Sequence, residues 1–403
     1  MRKRHCYNAT QRLISCKYAF IAIGGLLLFI GVVLLVNHWR VPDAPTPPAK
    51  VVKQIEKLLI EYNIPGAQIA VIQDGNIKWR INLGYADILS ERPVRNETLF
   101  QAASITKTLT AAAVLQTSKT HQISLDSPVN NYLKRWQIPT NQYSKIKPVT
   151  IRMLLNHTAA ISNPYPDGGY GYDEKLPSLL DVFQGNPPAT NQALTIKRLP
   201  GEKYEYCNGC YSILQMFLED VDSMPYPLLM KKLIFKPTGM KHSFFDNNLF
   251  LDNKAAVALP YNPNGKLYTN APLRSPIYST GFIWTTASDL AKYIIAVQYA
   301  LHHNDGFISK DLAKELITPD GSPTHGLAFF ISDKFGEEKT NGKYFMHSGA
   351  NLGYLSIFIG SNDGKHGAVI LINSSPEWDA KDYPQFGFIK KSLMVIADEE
   401  SWS

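Results

Sequence analysis

Cysteine is scarce in this chain of 403 residues, which contains only four. So few cysteines exclude a small scaffold held together by disulfides. Cys207 and Cys210 have C-x-x-C spacing, but no pair of histidines is placed to complete a zinc site with them, so we expect no metal. The two residues could form a short disulfide loop in an oxidising compartment or remain two packed thiols, and both alternatives stay open.

Acidic residues are missing from the first 40 positions, which hold six basic residues. The remaining chain contains 35 basic and 34 acidic residues, so its charge is nearly balanced. This balance gives no support to nucleic-acid binding, which a basic face would favour. The sequence has no internal repeat, and its 45% hydrophobic content is sufficient for a large core. No motif implies an organic cofactor, so we expect none.

Charge is also absent from the 19 residues between Tyr18 and Val36. As a helix this run would be about 28 Å long, close to the hydrocarbon thickness of a bilayer. We therefore expect a basic cytoplasmic tail (residues 1–17), an uncleaved single-pass membrane anchor (18–36) and a proline-rich linker (37–50). Basic flanks stay in the cytoplasm, so the remaining chain would be extracytoplasmic, and periplasmic if the source is bacterial. The alternative is a cleaved signal peptide, whose apolar stretch is usually about 7–15 residues.

The pattern of helices and strands in residues 51–403 predicts one α/β (α+β) domain. An amphipathic helix in "AKVVKQIEKLLIEYN" precedes two strands around a "DGN" turn. Further strands, in "GLAFFIS", "YFMHSGA", "YLSIFIGS" and "HGAVILINS", come near the C-terminus before a closing helix. Residues from about 104 to 260 are mostly helical by pattern. We expect an antiparallel sheet built from both ends of the domain, flanked by helices, with a mostly helical region inserted.

Ser104 and Lys107 occur together in "FQAASITKTLTAAAVLQ". Residues three apart lie on one face of a helix, so the lysine amine would be next to the serine hydroxyl. A buried lysine loses its proton more easily and could accept the hydroxyl proton, which activates the serine as a nucleophile. The simpler alternative is a helix-capping serine with an exposed lysine. Ser144 and Lys147 have the same spacing, but Pro148 follows Lys147 directly and disfavours a helical conformation for that lysine.

Tyr206 and Asn208 lie in "LPGEKYEYCNGCYSILQMFLE", just before an amphipathic helix. A tyrosine near a lysine can transfer protons if positive charge lowers its pKa. An asparagine side chain can both donate and accept hydrogen bonds. The alternative is a turn with a packed ring. Tyr268 and Asn270 share the spacing, but no helix follows them closely.

His347, Ser348 and Gly349 lie on a predicted strand in "YFMHSGANLGYLSIFIG". Glycine allows a substrate to approach the backbone closely, and the N–H of Ala350 could then donate to a substrate carbonyl oxygen. The edge of such a strand can bind an extended, peptide-like ligand. The alternative for His347 is an ordinary hydrogen-bonded strand residue.

Together, and in this order, the three stretches resemble the serine β-lactamase and penicillin-binding protein superfamily. They are most similar to the branch that contains class C β-lactamases, D-alanyl-D-alanine carboxypeptidases and related esterases. The stretches "LLNHTAAI", "YSTGFIWTTASDLAKY" and "LINSS" are also similar to that branch, so the resemblance extends from about Val51 to the C-terminal helix.

The resemblance implies a role for each matching residue. The implied catalytic residues are the nucleophile Ser104, its partner Lys107 and the proton-transfer residue Tyr206. Asn208 would contact the substrate, and His347-Ser348-Gly349 would replace the Lys-Thr-Gly strand of class C β-lactamases. The N–H groups of Ser104 and Ala350 would form the oxyanion hole.

The departures from the family pattern bear on the substrate. His347 in place of lysine puts strong β-lactamase activity in doubt, because a neutral imidazole anchors a carboxylate poorly. Three functions stay open. They are an acyl-transfer hydrolase for a D-alanyl cell-wall peptide or a β-lactam, an esterase or other peptidase on the same fold, and a non-catalytic penicillin-binding or sensor protein.

Overall fold

A computed structural model describes residues 45–163, 169–333, 343–377 and 382–402. The expected cytoplasmic tail, the expected anchor and the first part of the expected linker (37–44) lie outside the described residues. Within the described ranges, no helix is long and apolar enough to cross a bilayer.

Seven strands form one antiparallel sheet that combines both ends of the domain, in the order β3-β2-β1-β9-β8-β7-β6. These strands are β1 (Gly66–Gln73), β2 (Asn76–Asp87), β3 (Arg92–Pro93), β6 (Phe330–Ser332), β7 (Tyr344–Asn351), β8 (Tyr354–Ser361) and β9 (His366–Ile372). Two short strands, β4 (Phe100–Gln101) and β5 (Trp284–Thr285), pair separately. The predicted sheet from both ends of the domain is confirmed, since β1 pairs with β9 from Ala67 to Gln73.

Helices cover both faces of this sheet. They are α1 (Ala49–Glu61), α2 (Thr106–Thr120), α3 (Gln142–Ile146), α4 (Ile151–Leu155), α5 (Leu179–Gln184), α6 (Asn208–Asp222), α7 (Tyr226–Met230), α8 (Lys236–Thr238), α9 (Leu249–Asp252), α10 (Ala287–His302), α11 (Lys310–Ile317) and α12 (Gln385–Glu399). Short 3₁₀ turns lie at Ala103–Ile105, Val129–Asn131, Lys254–Ala256 and Tyr278–Thr280, and a π-helical turn at Lys231–Phe235 joins α7 to α8. Between Ser104 and Pro260 the described elements are all helical, as expected.

The two faces of the sheet have separate cores. Helices α1 and α12 pack on one face, where Val51 and Ile55 of α1 meet Phe388 and Ile396 of α12 in one apolar cluster. Helix α10 and the inserted helices cover the other face. Because helices lie on both faces, β1 and β8 are buried almost throughout instead of alternating between core and solvent.

The predicted turn between the first two strands is also confirmed. Asp74 and Gly75 have positive φ values of 49° and 71°, which is the geometry of the tight hairpin turn that an Asp-Gly pair favours. The run "TASDLAKYIIAVQYAL" forms α10, and its first turn is capped by Thr286, whose side chain accepts from the N–H of Asp289.

One predicted strand is too long. The run "GLAFFIS" forms β6 only from Phe330 to Ser332. Before it, the N–H of Gly326 donates to the carbonyl of Phe329, and Ala328 has φ +73°. The chain therefore turns back on itself there, and its apolar side chains enter the core from a loop.

Candidate active site

Ser104 and Lys107 are brought together as the sequence predicts. Ser104 lies in the 3₁₀ turn Ala103–Ile105, one turn before Lys107 in α2, and the Lys107 Nζ is 3.1 Å from the Ser104 Oγ. Lys107 is fully buried, and its Nζ also donates to the carbonyl of Thr280 at 2.6 Å. The alternative of a capping serine with an exposed lysine is wrong, because α2 has no side-chain cap and the lysine has no exposed surface.

Burial sets the proton affinity of this lysine. It lowers the pKa of the Lys107 amine well below its ordinary value, because the charged form cannot be hydrated there. No carboxylate pairs with the amine among the contacts of the described residues. Lys107 can therefore hold a free lone pair towards the serine hydroxyl, as a general base requires.

Gly349 allows the nucleophile turn to lie directly on the sheet. A Cβ at position 349 would be 2.5 Å from the carbonyl oxygen of Ala102, so only glycine fits where β7 passes this turn. The Ser356 Oγ on β8 donates to that same carbonyl at 2.8 Å. The predicted close approach at Gly349 is thus made by the chain itself, next to Ser104, and Ala103 has φ +47° in this turn.

Tyr206 reaches the nucleophile from the other side. Its side chain hydrogen-bonds to the Ser104 side chain, and its ring centroid is 5.0 Å from the Lys107 Nζ. Burial raises the pKa of Tyr206, although 40% of the residue surface is exposed. The sequence analysis made proton transfer by Tyr206 depend on a pKa lowered by positive charge, and this condition is not met in the structure. The phenol stays protonated at neutral pH and can serve as a proton donor.

The segment that presents Tyr206 is fixed at the start of α6. Cys207 is the N-cap residue, its Sγ accepts from the N–H of Cys210, and the two cysteines form a disulfide. Asn208 is the first residue of α6 and is half-buried, with no hydrogen-bond partner for its amide among the described residues. A Cβ at Gly209 would lie 2.1 Å from the Ser162 carbonyl, so this glycine permits the close packing of the helix start.

Strand β7 contributes one of its faces and one unpaired edge to the candidate active site. Alternation places His347 and Gly349 on the face of the nucleophile turn, whereas Ser348 and Ala350 belong to the opposite face. Strand β6 pairs only with the first three residues of β7, so in the described chain no strand covers the edge from His347 to Asn351.

His347 is almost completely buried, and its imidazole is neutral. Burial lowers the pKa of His347 to about 3. The sequence analysis also predicts a neutral imidazole at this position. This position supplies no positive charge for a substrate carboxylate at neutral pH.

Sequence reasoning missed His157, although its motif was recognised. The Nδ1 of His157 accepts the backbone N–H of Cys207 at 3.0 Å, and its ring stacks on Tyr206 with centroids 4.7 Å apart. Burial lowers the pKa of His157 well below its ordinary value, so the ring is neutral and carries its proton on Nε2. A histidine about 50 positions from Tyr206 gives no local signal of this contact.

The two rival motifs have structural roles elsewhere. Ser144 forms a capping box with Asn141 at the start of α3, and Lys147 is the residue that ends this helix. Tyr268 donates its hydroxyl proton to the carbonyl of Ser375. No group of three or more metal-binding side chains occurs in the described part of the chain.

Comparisons with known proteins agree with this geometry. Residues 51–388 match the family model described as Beta-lactamase. PbpX of Bacillus subtilis (strain 168), named as a penicillin-binding protein, is 27% identical over 282 residues, or 70% of this chain and 65% of PbpX. The chain spans less than two thirds of the length of the first curated relatives that it matches.

Two solved structures have the same fold. The octameric penicillin-binding protein homologue from Pyrococcus abyssi aligns with TM-score 0.68 and 25% identity, covering 87% of this chain and 77% of that one. The D-amino acid amidase from Ochrobactrum anthropi SV3 aligns with TM-score 0.70 over 87% of this chain and 100% of its own, and its 18% identity shows the fold alone. Because the family model covers most of the sequence, the chain belongs to the beta-lactamase family.

Proposed function

We propose that the protein is a serine hydrolase that forms an acyl-enzyme on Ser104. The observation that carries the proposal is the fully buried Lys107, whose Nζ is 3.1 Å from the Ser104 Oγ. A structural lysine at such a position would need a carboxylate partner, whereas a neutral amine can take the serine proton. Membership of the beta-lactamase family supports the same chemistry.

Acylation would use the three catalytic side chains in turn. The Ser104 Oγ bonds to the substrate carbonyl carbon while its proton moves to the Lys107 Nζ. The Tyr206 hydroxyl gives a proton to the leaving group as the scissile bond breaks, and the lysine returns its proton to the phenolate. The N–H groups of Ser104 and Ala350 would stabilise the developing oxyanion. Water then attacks the ester by the reverse proton path and releases Ser104.

The first candidate substrate is a D-alanyl peptide or a β-lactam. The uncovered edge of β7 from His347 to Asn351 favours it, because an extended peptide can add to a free strand edge. Asn208 supports this candidate too, because its amide is half-buried at the site and free to bond a substrate amide.

A neutral ester or amide is the second candidate. His347 favours it, since burial keeps the imidazole uncharged and the site then offers a substrate carboxylate little attraction. Both candidates use the same acyl-enzyme. A non-catalytic binding role is disfavoured, because Ser104, Lys107 and Tyr206 are in contact as catalysis requires.

Incubation with a fluorescent penicillin and with a short-chain chromogenic ester tests the proposal. We expect labelling or turnover with at least one of the two, and loss of both in Ser104→Ala. Ser144→Ala is the matched control, because it removes the other serine with a lysine three residues on. Activity that survives in Ser104→Ala would contradict the proposal.

We also propose that Tyr18–Val36 anchors the protein in a membrane with its catalytic domain extracytoplasmic. The uncharged run behind a basic flank supports this. A reporter fused after Ser403 that is active only outside the cytoplasm should be active. A mature chain that starts after residue 36 would show a signal peptide instead.

A further inference from the structure

Six ring side chains form a closed circuit beside Ser104, which we call the aromatic circuit. Each ring lies near the next, with successive centroid separations of 4.7, 5.7, 4.2, 4.6, 4.9 and 6.4 Å. The members in order are Tyr206, His157, Tyr204, His325, Phe330 and His347. Tyr206 and His347 belong to the proposed catalytic site, and the proposed hydrolysis assigns no role to Tyr204, His325 or Phe330.

One side of the aromatic circuit is open to solvent. His157 and His347 are each only 2% exposed and form its inner part. Tyr204, His325 and Phe330 are half-buried, and Tyr206 is 40% exposed. A cluster that only filled the core would be buried throughout, whereas this one presents ring surface next to the reactive hydroxyl.

Neighbouring contacts hold the outer rings in place. The hydroxyl groups of Ser322 and Thr324 lie 3.0 and 2.9 Å from the Nδ1 of His325. His325 and Phe330 are bridged through their backbones where the chain turns before β6. The rings therefore form a preformed surface, and a ligand would not have to order them on binding.

The aromatic circuit carries no permanent charge. None of its six members is a carboxylate, a lysine or an arginine. Glu205, between Tyr204 and Tyr206, is paired with Arg198 at 2.6 Å, and Lys203, next to Tyr204, is exposed to solvent. Burial also lowers the pKa of His325 to about 4, so this imidazole is neutral like that of His347.

We propose that the aromatic circuit is a subsite that binds an uncharged aromatic group of the substrate, next to the bond that Ser104 attacks. The proposal deepens the proposed function and rests on it. Aromatic rings prefer offset-stacked and edge-to-face partners, and each good pair improves binding about 2- to 12-fold beyond its buried area. A free carboxylate on the same group would lose water here without gaining a cation.

Two matched pairs of neutral esters test this subsite. One pair places the ring on the acyl side (methyl phenylacetate and methyl cyclohexylacetate), and the other places it on the alcohol side (benzyl acetate and cyclohexylmethyl acetate). We expect kcat/KM at least about 3-fold higher for the aromatic member of one or both pairs, mainly through KM. Methyl 4-carboxyphenylacetate should be a poorer substrate than methyl phenylacetate.

Variants separate the contribution of the rings to substrate preference from any effect on general stability. The aromatic preference is the kcat/KM of the aromatic ester divided by that of its cyclohexyl partner. This ratio should fall towards one in Tyr204→Leu and in Phe330→Leu. Tyr204→Phe keeps the ring and should keep the parent ratio. Tyr299→Leu is the matched control, because it breaks a stacked tyrosine–histidine pair (Tyr299–His303) that shares no residue with the aromatic circuit. Its preference should equal that of the parent protein.

The proposal is overturned if the aromatic and cyclohexyl esters have nearly equal kcat/KM in both pairs. It is equally overturned if both leucine variants keep the parent preference, or if the carboxylated ester reacts faster than the neutral one. These outcomes leave hydrolysis dependent on Ser104 intact. Failure of the proposed function looks different, because then none of the esters is hydrolysed in a way that Ser104→Ala abolishes.

Discussion

At the scale of single residues, the site depends on a lysine whose pKa is lowered by folding. Lys107 is fully buried with a strongly lowered pKa, and its two polar contacts are the Ser104 hydroxyl and the Thr280 carbonyl. Burial lowers the affinity of this amine for a proton relative to the unfolded chain, so folding favours release of the proton. Catalysis and stability are therefore coupled through one proton.

This coupling predicts how stability changes with pH. The folded-state pKa of Lys107 lies below the unfolded value, so the unfolded state binds more protons between the two and stability rises with pH over that window. Relative to Lys107→Met, the free energy of unfolding of the parent should rise by up to about 1.4 kcal/mol per pH unit until it levels off near pH 10.5. Urea unfolding at pH 7 and pH 9 measures the difference. Parallel pH curves for the two proteins would show that the lysine stays charged when folded.

Lys107 and Tyr206 should also behave as one proton-transfer unit. General acid–base groups typically contribute about 10²- to 10⁴-fold, so Lys107→Met or Tyr206→Phe alone should remove most of kcat. The double variant should lose little more, because parts of one unit are not additive. Steady-state rates on the best ester decide the point, and two losses that multiply in the double variant would indicate separate roles.

At the scale of secondary-structure elements, the site is assembled by close packing between a strand and a turn. Gly349 lets β7 pass the Ala102 carbonyl, and Ser356 of β8 fixes the same carbonyl from the next strand. The α6 start is fixed in a similar way, by Gly209 against Ser162 and by His157 under Cys207.

The strand contact predicts a selective loss in Gly349→Ala. The added Cβ has to displace the turn that carries Ser104, and a shift of about 1 Å can cost about 10²-fold in rate. Gly360→Ala is the matched control on β8, because its Cβ would meet the Phe345 ring and not the nucleophile turn. We expect kcat/KM of the first variant to fall about 10²-fold more than that of the control at similar thermal stability. Equal losses would show that the glycine serves only folding.

The histidine contact predicts that His157 positions Tyr206. In His157→Leu the N–H of Cys207 loses its acceptor, which should cost about 1–3 kcal/mol of stability. The variant also lacks the imidazole ring that stacks on Tyr206, so kcat should fall while KM changes less. His157→Asn, which restores an acceptor without the stacked ring, should recover part of the stability but little of the rate. Full recovery of rate in that variant would assign His157 a purely structural role.

At the scale of the whole molecule, residues distant in sequence complete each layer. The two ends of the domain meet where β1 pairs with β9, and α12 packs on α1 on one face of the sheet. Four side chains of α12 are almost fully buried, namely Phe388, Ile389, Leu393 and Ile396. At about 1.5–3 kcal/mol each, their burial matches the total stability of a typical domain.

Deletion of residues 385–403 should therefore prevent stable folding. The expected result is a chain that trypsin digests rapidly and that shows no cooperative unfolding transition. Met394→Lys is the control, because this α12 side chain is 55% exposed and its replacement should change stability by less than about 0.5 kcal/mol. A truncated chain that unfolds cooperatively would show that the second core does not depend on α12.

The sequence predicts the local features of this molecule better than its long-range contacts. Amphipathic spacing identified α1, and the Asp-Gly turn identified the first hairpin, because each depends on neighbouring residues. The three site motifs were placed by resemblance to a family. The partners of Tyr206 come from segments far away in sequence, and its raised pKa depends on burial that no motif displays. The sequence also predicted too long a β6, because the apolar residues before this strand enter the core from a loop.

The central claim is that Ser104, activated by Lys107, becomes acylated. Mass spectrometry of the acid-quenched protein during turnover of the best ester or penicillin tests it most directly. We predict an adduct of the acyl mass on the peptide that contains Ser104, present in the parent and in Ser144→Ala and absent in Ser104→Ala. An adduct on another residue, or turnover that continues unchanged in Ser104→Ala, would contradict the account.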